Sequence, residues 1–267
     1  MKKLSLIFIL FLLVGCTNNT KKETITMGSE CNCSPFNWTT LDKASESILI
    51  DGGTAGYCDG YDIQIGKIIA QELNKELVVK KIEWDGLSIA VNNGEIDMII
   101  AGMTDTPERR NGLDFSNPYY ESDMVMVVRK DSKYVNSKSI QDFNGANVVG
   151  QLNTFHDKII DQIEGVNHVT PMKNIPIMIV AVAKNDVDAL VTEYPIAASA
   201  VKTNPDLAIV QFDQGKGFTT GSSSTVSVGI KKGNLELVDK INKILDKINK
   251  EQRNEIMKNA LSRAKNE

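Results

Sequence analysis

The chain has 267 residues but few of the residue types that most often mark chemistry: two histidines, four cysteines, two tryptophans and 6% aromatics overall. Two histidines, with cysteines placed as Cys31-x-Cys33 and a distant Cys58, give poor ligand spacing for zinc, and no metal or cofactor is expected. Gly-x-Ser-x-Gly elbow, His-Glu-x-x-His pair and phosphate loop are all missing, so the sequence signals no catalytic class. Basic blocks and basic-aromatic patches are lacking too, and the formal net charge is −4, which argues against nucleic acid as a partner. No apolar run reaches the roughly 20 residues that a membrane-spanning helix needs. Low-complexity blocks and short-period repeats are likewise missing.

What is present begins at the N-terminus. Lys2 and Lys3 precede an apolar run from Leu4 to Val14, the pattern of a secretory signal peptide. Leu13-Val14-Gly15-Cys16 resembles the bacterial lipobox, so residues 1–15 read as a removable signal and Cys16 as the lipidated first residue of the mature chain. The lipid gives durable attachment to a membrane, and residues 16–23, rich in Asn, Thr and Lys, form a flexible tether. Loss of Lys2 and Lys3 takes the formal charge from −4 to −6. The expected location is the cell envelope, outside the cytoplasm, where disulfides persist. Cys31, Cys33 and Cys58 then make one bridge and one free thiol, with Cys31 or Cys33 bonded to Cys58.

Along the body, strands and helices alternate as in an α/β protein with largely parallel sheets. Strands are expected at 24–27, 78–82, 96–101, 147–149, 187–192, 207–210 and 226–230. Helices are expected at 62–73, 86–91, 154–163, 175–184 and 195–201. Leu237, Val238, Ile241, Ile244, Leu245 and Ile248 mark one long amphipathic helix near the end. Two similar α/β units thus follow in tandem, with a Gly/Ser/Thr-rich crossing at 215–225.

The run from Ala101 to Arg110 carries the strongest local chemistry. A strand ends in small and hydroxyl residues, and Thr106 then caps a helix that starts at Pro107. A guanidinium placed at a strand's carboxyl end suits a carboxylate ligand. These residues do not choose between Arg109 and Arg110.

Gly60-Tyr61-Asp62-Ile63, Trp84-Asp85-Gly86-Leu87, Gly94-Glu95-Ile96-Asp97, Ala101-Gly102-Met103-Thr104, Thr106-Pro107-Glu108-Arg109 and Asp114 to Tyr120 resemble the family 3 extracellular solute-binding proteins, amino-acid receptors of ABC importers. The resemblance implies the two-lobed type II periplasmic-binding-protein fold, two α/β domains joined by a two-stranded hinge. Lobe 1 would comprise 24–120 and 220–267, with the C-terminal helix returning to it, and lobe 2 would comprise 121–219. It also implies roles. Arg109 would clamp the ligand α-carboxylate, Gly102 and Thr104 would meet the α-ammonium and neighbouring atoms, and Trp84 would cover the ligand side chain. Thr154 and the Phe155 amide, at a helix N-terminus, would meet the carboxylate, although the usual glycine there is Asn153. Glu193 would pair with the α-ammonium, where relatives usually carry aspartate. Glu30 and Cys33 would line the side-chain pocket, Glu30 pointing to a cationic or hydrogen-bonding ligand. Phe36 is expected in the core, and His156 on a solvent-facing helix surface.

The implied partners are a polar, small or basic α-amino acid, a permease and its ATPase, and the membrane through the lipid. The implied state is a monomer without enzymatic activity. Two rivals share these features: a cyclohexadienyl-dehydratase-like enzyme using Glu193 or His156, and a surface-displayed antigen or sensor.

Overall fold

The computed structural model describes residues 22–44, 46–52, 56–221 and 225–264. The signal run, Cys16 and most of the tether lie outside the described residues.

The first half of the chain supplies β1 (Thr24–Ser29), β2 (Asn32–Cys33), β3 (Asn37–Thr40), β4 (Ile48–Asp51), β5 (Tyr57–Asp59), β6 (Glu76–Lys81) and β7 (Met98–Ile99), with helices α1 (Tyr61–Glu72) and α2 (Trp84–Asn93). Two long strands follow, β8 (Leu113–Glu121) and β9 (Met124–Arg129). The second half adds β10 (Asn147–Val149), β11 (Asn167–His168), β12 (Ala189–Glu193), β13 (Leu207–Val210) and β14 (Thr225–Lys231). Its helices are α3 (Phe155–Lys158), α4 (Ile175–Ala183), α5 (Tyr194–Thr203), α6 (Leu235–Leu245) and α7 (Lys250–Arg263).

The strands form two sheets. The larger runs β2-β3-β5-β4-β6-β1-β7-β14-β8 and the smaller β11-β10-β12-β9-β13. The parallel pairing expected from the βα alternation holds for β4-β6-β1-β7 and for β11-β10-β12. The remaining pairs are antiparallel, because hairpins and returning strands extend both sheets at their edges. The chain passes between sheets twice, from β8 to β9 and from β13 back to β14. These passages make the two-stranded hinge between two α/β lobes.

Apolar periodicity explains the packing. α1 buries Ile63, Ile65 and Ile69, and α6 buries Ile241, Ile244 and Leu245. Both join one cluster with β1, β6 and β14 residues such as Met27, Val79 and Val228. Met126, Val128, Phe143 and Val191 centre the core on the opposite face of the smaller sheet. Cys31 and Cys58 are bonded, with Cα atoms 5.7 Å apart, and Cys33 is a buried free thiol. The bridge ties the turn after β1 to β5, just ahead of α1.

Several expectations need correction. The helix expected from 154 to 163 is α3, four residues long, followed by a 3-10 turn at Ile159–Gln162. The helix expected from Pro107 is a single 3-10 turn, Arg109–Asn111, and Thr106 Oγ1 accepts from the Arg109 amide at 3.2 Å. The strand expected at 96–101 pairs only through Met98–Ile99. The final amphipathic stretch breaks after Leu245, and a second helix follows. That second helix, α7, docks firmly: Met257 and Ala260 are buried, and Arg263 forks onto Asp59 at 2.9 and 3.0 Å.

Candidate functional site

The carboxyl ends of the parallel strands face each other across the join between the sheets, where loops are free to present side chains. From the larger-sheet side come Glu30 and Cys33 after β1, Phe36 before β3, Trp84 at the start of α2, and Gly102, Thr104 and Arg109 after β7. From the smaller-sheet side come Gln151, Thr154 and His156 around the start of α3, Ile175 of α4, Glu193 at the end of β12, and Ile196 of α5. They enclose about 20 Å³, room for about one water molecule. The cleft is closed. Larger cavities lie elsewhere: about 1210 Å³ beside the hinge passages, and about 660 Å³ just outside Arg109.

Arg109 is the one arginine or lysine among the cavity's lining residues. Its Nη1 donates to the Thr104 carbonyl at 2.6 Å and its Nη2 to the Asn153 carbonyl at 3.2 Å. The guanidinium lies 5.0 Å over the Trp84 ring, a cation–π distance. Burial pulls its pKa down to about 10, which leaves it charged at neutral pH. Arg110, by contrast, pairs with Asp105 and lies on Phe115, away from the cavity. The structure therefore separates two arginines that the local sequence did not.

Two carboxylates face the same space. Glu193 is buried as the last residue of β12. Glu30 is 3% exposed, and the Gln151 side-chain amide donates to its two oxygens at 3.4 and 3.3 Å. Burial pushes the Glu30 pKa up to about 7. Cys33, beside these acids, is buried, and desolvation pushes its thiol well above its ordinary value.

Behind the wall lies Asp62, at the start of α1. It accepts from Asn37 Nδ2 and from the Tyr119 hydroxyl, each at 2.8 Å, and burial raises its pKa to about 7. The Tyr119 hydroxyl in turn accepts from the Gly102 amide at 3.1 Å. This chain fixes Gly102 in a left-handed conformation, φ +59°. A Cβ at Gly102 would stand 3.5 Å from the Phe36 ring, so the wall there is backbone against aromatic.

Eight of the nine residues singled out from sequence line this cavity: Glu30, Cys33, Trp84, Gly102, Thr104, Arg109, Thr154 and Glu193. Phe155 does not; it lines the outer cavity beside Arg109, and its ring packs on the core of the smaller sheet. Thr154 Oγ1 donates to the Gln151 carbonyl at 2.6 Å and accepts from Asp157 N at 3.4 Å, so its proton is committed to Gln151 and an oxygen lone pair to the helix cap.

His156 contradicts its expected solvent-facing place. It is 6% exposed, its Nε2 stands 3.1 Å from Glu193 Oε1 without hydrogen-bond alignment, and both ring nitrogens are buried without a hydrogen-bond partner. The expectation assumed a long helix. With α3 ending at Lys158, the facing rule of a regular amphipathic helix does not apply. Phe36 is core, as expected, and also wall: it packs edge-on to Tyr61 and Tyr120 and lines the cavity. Gln151 opens the loop that leads into α3, a place the resemblance marks, but its side-chain bond to Glu30 is not encoded in local spacing; Ile175 and Ile196 read as ordinary helix apolars, and only the fold turns them toward the cleft.

Comparison with known proteins places this geometry in a wider set. The chain is 28% identical over 200 residues to a probable histidine-binding protein of Neisseria gonorrhoeae, covering 72% of this chain and 70% of that one. It is 27% identical over 244 residues to the arginine-binding extracellular protein ArtP of Bacillus subtilis, covering 89% and 87%. Among solved structures, an ancestral arginine-binding protein bound to glutamine matches with a TM-score of 0.73 and 29% identity, covering 90% of this chain and 98% of that one. The sequence profile of the bacterial extracellular solute-binding proteins, family 3, matches residues 25–261, and the chain belongs to that family.

Proposed function

We propose that this protein captures a free α-amino acid between its two lobes and hands it to the permease and ATPase of an ABC importer, while Cys16 anchors it by lipid outside the cytoplasm. One observation carries the reading: the Arg109 guanidinium and the Glu193 carboxylate line the same cleft, complementary to the two charges of an amino-acid zwitterion, and the cleft would widen from its present volume of about one water to take such a ligand. Arginine offers a carboxylate a bidentate fork. Two of its five side-chain N–H groups are engaged with carbonyls, which leaves three for a ligand.

In this reading Arg109 takes the α-carboxylate together with the backbone around Thr154 and Phe155. Glu193 takes the α-ammonium, with the Gly102 carbonyl and the Thr104 hydroxyl beside it. Trp84 and Phe36 cover the side chain, and Glu30 and Cys33 end its pocket. The hinge passages let the lobes, at 24–120 with 220–267 and at 121–219, part to admit the ligand and close to expel water. Closure strengthens each charge-assisted bond by lowering the local dielectric. The same functional class is carried by the relatives, which are binding proteins for histidine, arginine and glutamine.

Calorimetry against the twenty amino acids tests the proposal. Saturable binding by at least one α-amino acid, lost in Arg109→Ala, is the expected result; binding by none, or full affinity in the variant, overturns it. The buried His156 beside Glu193 also suits general acid–base work on a cyclic acid. Incubation with arogenate or prephenate, followed by product absorbance, separates the readings: a receptor shows no turnover.

A further inference from the structure

Three contacts to acidic side chains cross the rim of the cleft, and they share a layout. The larger-sheet side offers acids: Glu83 just before α2, Asp85 in its first turn, and Glu108 just before the Arg109 turn. The smaller-sheet side offers donors. Lys173 pairs with Glu83 at 3.2 Å, Lys158 pairs with Glu108, and Asn153 Nδ2 donates to Asp85 Oδ1 at 2.8 Å.

The two lysine pairs are more than half exposed at every side chain, and such pairs contribute little individually. Asn153 is different, because its backbone grips as well. Its carbonyl accepts from Trp84 Nε1 at 3.3 Å and from Arg109 Nη2 at 3.2 Å. One residue of the smaller lobe thus holds three residues of the larger one, two of which line the cavity. Its φ of +59° lies in the left-handed region that asparagine tolerates better than most side chains. Glycine would serve that conformation equally well, but it would offer nothing to Asp85. None of these three bonds uses a ligand.

We infer that Asn153 is a positioning residue, a latch that holds the lobes together through Asp85 and holds Arg109 and Trp84 in their binding arrangement independently of cargo. The latch adds to the closed state whether or not cargo is present. Its removal raises the open fraction of the ligand-free protein and speeds ligand escape from the closed one. The effect on escape rests on the proposed binding function; the effect on lobe separation does not.

The test measures lobe separation in the ligand-free full chain, by spin labels at one exposed position in each lobe. Asn153→Gly keeps the backbone conformation and the carbonyl but deletes the amide, and should raise the open-to-closed ratio about threefold to tenfold, the range of an ordinary single hydrogen bond, because the carboxylate partner is solvent-exposed and screened. Asn153→Asp sets two carboxylates face to face and should open the cleft further. Adding Asp85→Asn restores an amide–carboxylate pair with the roles reversed, and should return the distances to those of the wild type. Dissociation of an amino acid found by calorimetry should accelerate in Asn153→Gly by the same factor. Unchanged distances in both single variants, or no recovery in the double variant, overturn the latch. Shifted and recovered distances without binding of any amino acid support the latch and defeat the binding proposal instead.

Discussion

Glu30 offers a prediction whose sign is set by burial. Its carboxylate is 3% exposed, the Gln151 amide donates to it at 3.3 to 3.4 Å, the Asn32 side chain adds a smaller hydrogen-bond contribution, and Glu83 and Asp85 add repulsion. Burial therefore lifts its pKa from 4.5 to about 7. Between those values the folded protein holds a proton that the unfolded chain has released, so stability falls as pH rises through this window. Below it both states are protonated and no penalty exists; above it the folded state carries a buried charge. The distance from 4.5 to about 7, at about 1.4 kcal/mol per pH unit, gives a full loss of about 3.5 kcal/mol. Glu30→Gln removes the titration while keeping the shape. Relative to wild type, ligand-free Glu30→Gln should gain about 3 kcal/mol between pH 4 and pH 8, read by urea unfolding at one-unit steps. Asp62, also raised to about 7, tilts both proteins in the same direction and cancels in the difference. A difference that stays flat across this range, or one that moves against the variant as pH rises, refutes the argument.

Three further outcomes follow from the same region. Cys31 and Cys58 are separated by 27 positions, and a loop of that size limits the unfolded chain by about 3.5 kcal/mol; the double serine variant should melt about 10 °C lower by circular dichroism, and a loss under about 1 kcal/mol would show that the bridge constrains little. Gly60 has φ +135°, and a Cβ there would stand 2.2 Å from the Phe36 carbonyl. Gly60→Ala should cost about 2–4 kcal/mol through strain and a displaced wall, and should weaken binding in calorimetry; wild-type stability and affinity together would contradict the wall assignment. Cys33, buried and with its thiol pushed up, should resist iodoacetamide at pH 8 in the folded protein and react on unfolding with the disulfide intact. Peptide mass spectrometry showing rapid native labelling would count against that burial.

Much of this architecture was legible because the hydrophobic pattern has a local cause. The faces of α1 and α6 and the strands at 147–149 and 207–210 follow from apolar spacing alone. Less legible were β8 and β9, whose partners lie far along the chain: Thr225 pairs with Glu121, and Leu190 with Val127. The cavity divides similarly. Arg109, Trp84 and Thr104 belong to one contiguous block of motif, so resemblance reaches them. His156 and Gln151 depend on how one short loop meets a strand end on its own sheet and a carboxylate from the other lobe, contacts that no local spacing encodes.

The order of the larger sheet bears on how the protein is made. β8 joins that sheet only through β14, which inserts between β7 and β8. Every strand of the smaller sheet lies between Met124 and Val210, so that sheet can close as soon as this one continuous segment is free. The larger sheet must wait until residues 225–231 emerge. A chain delivered N-terminus first therefore completes its second lobe before its first. A product truncated ahead of Thr225 would leave β8 with no strand beside it, an exposed edge of the kind that seeds association between chains.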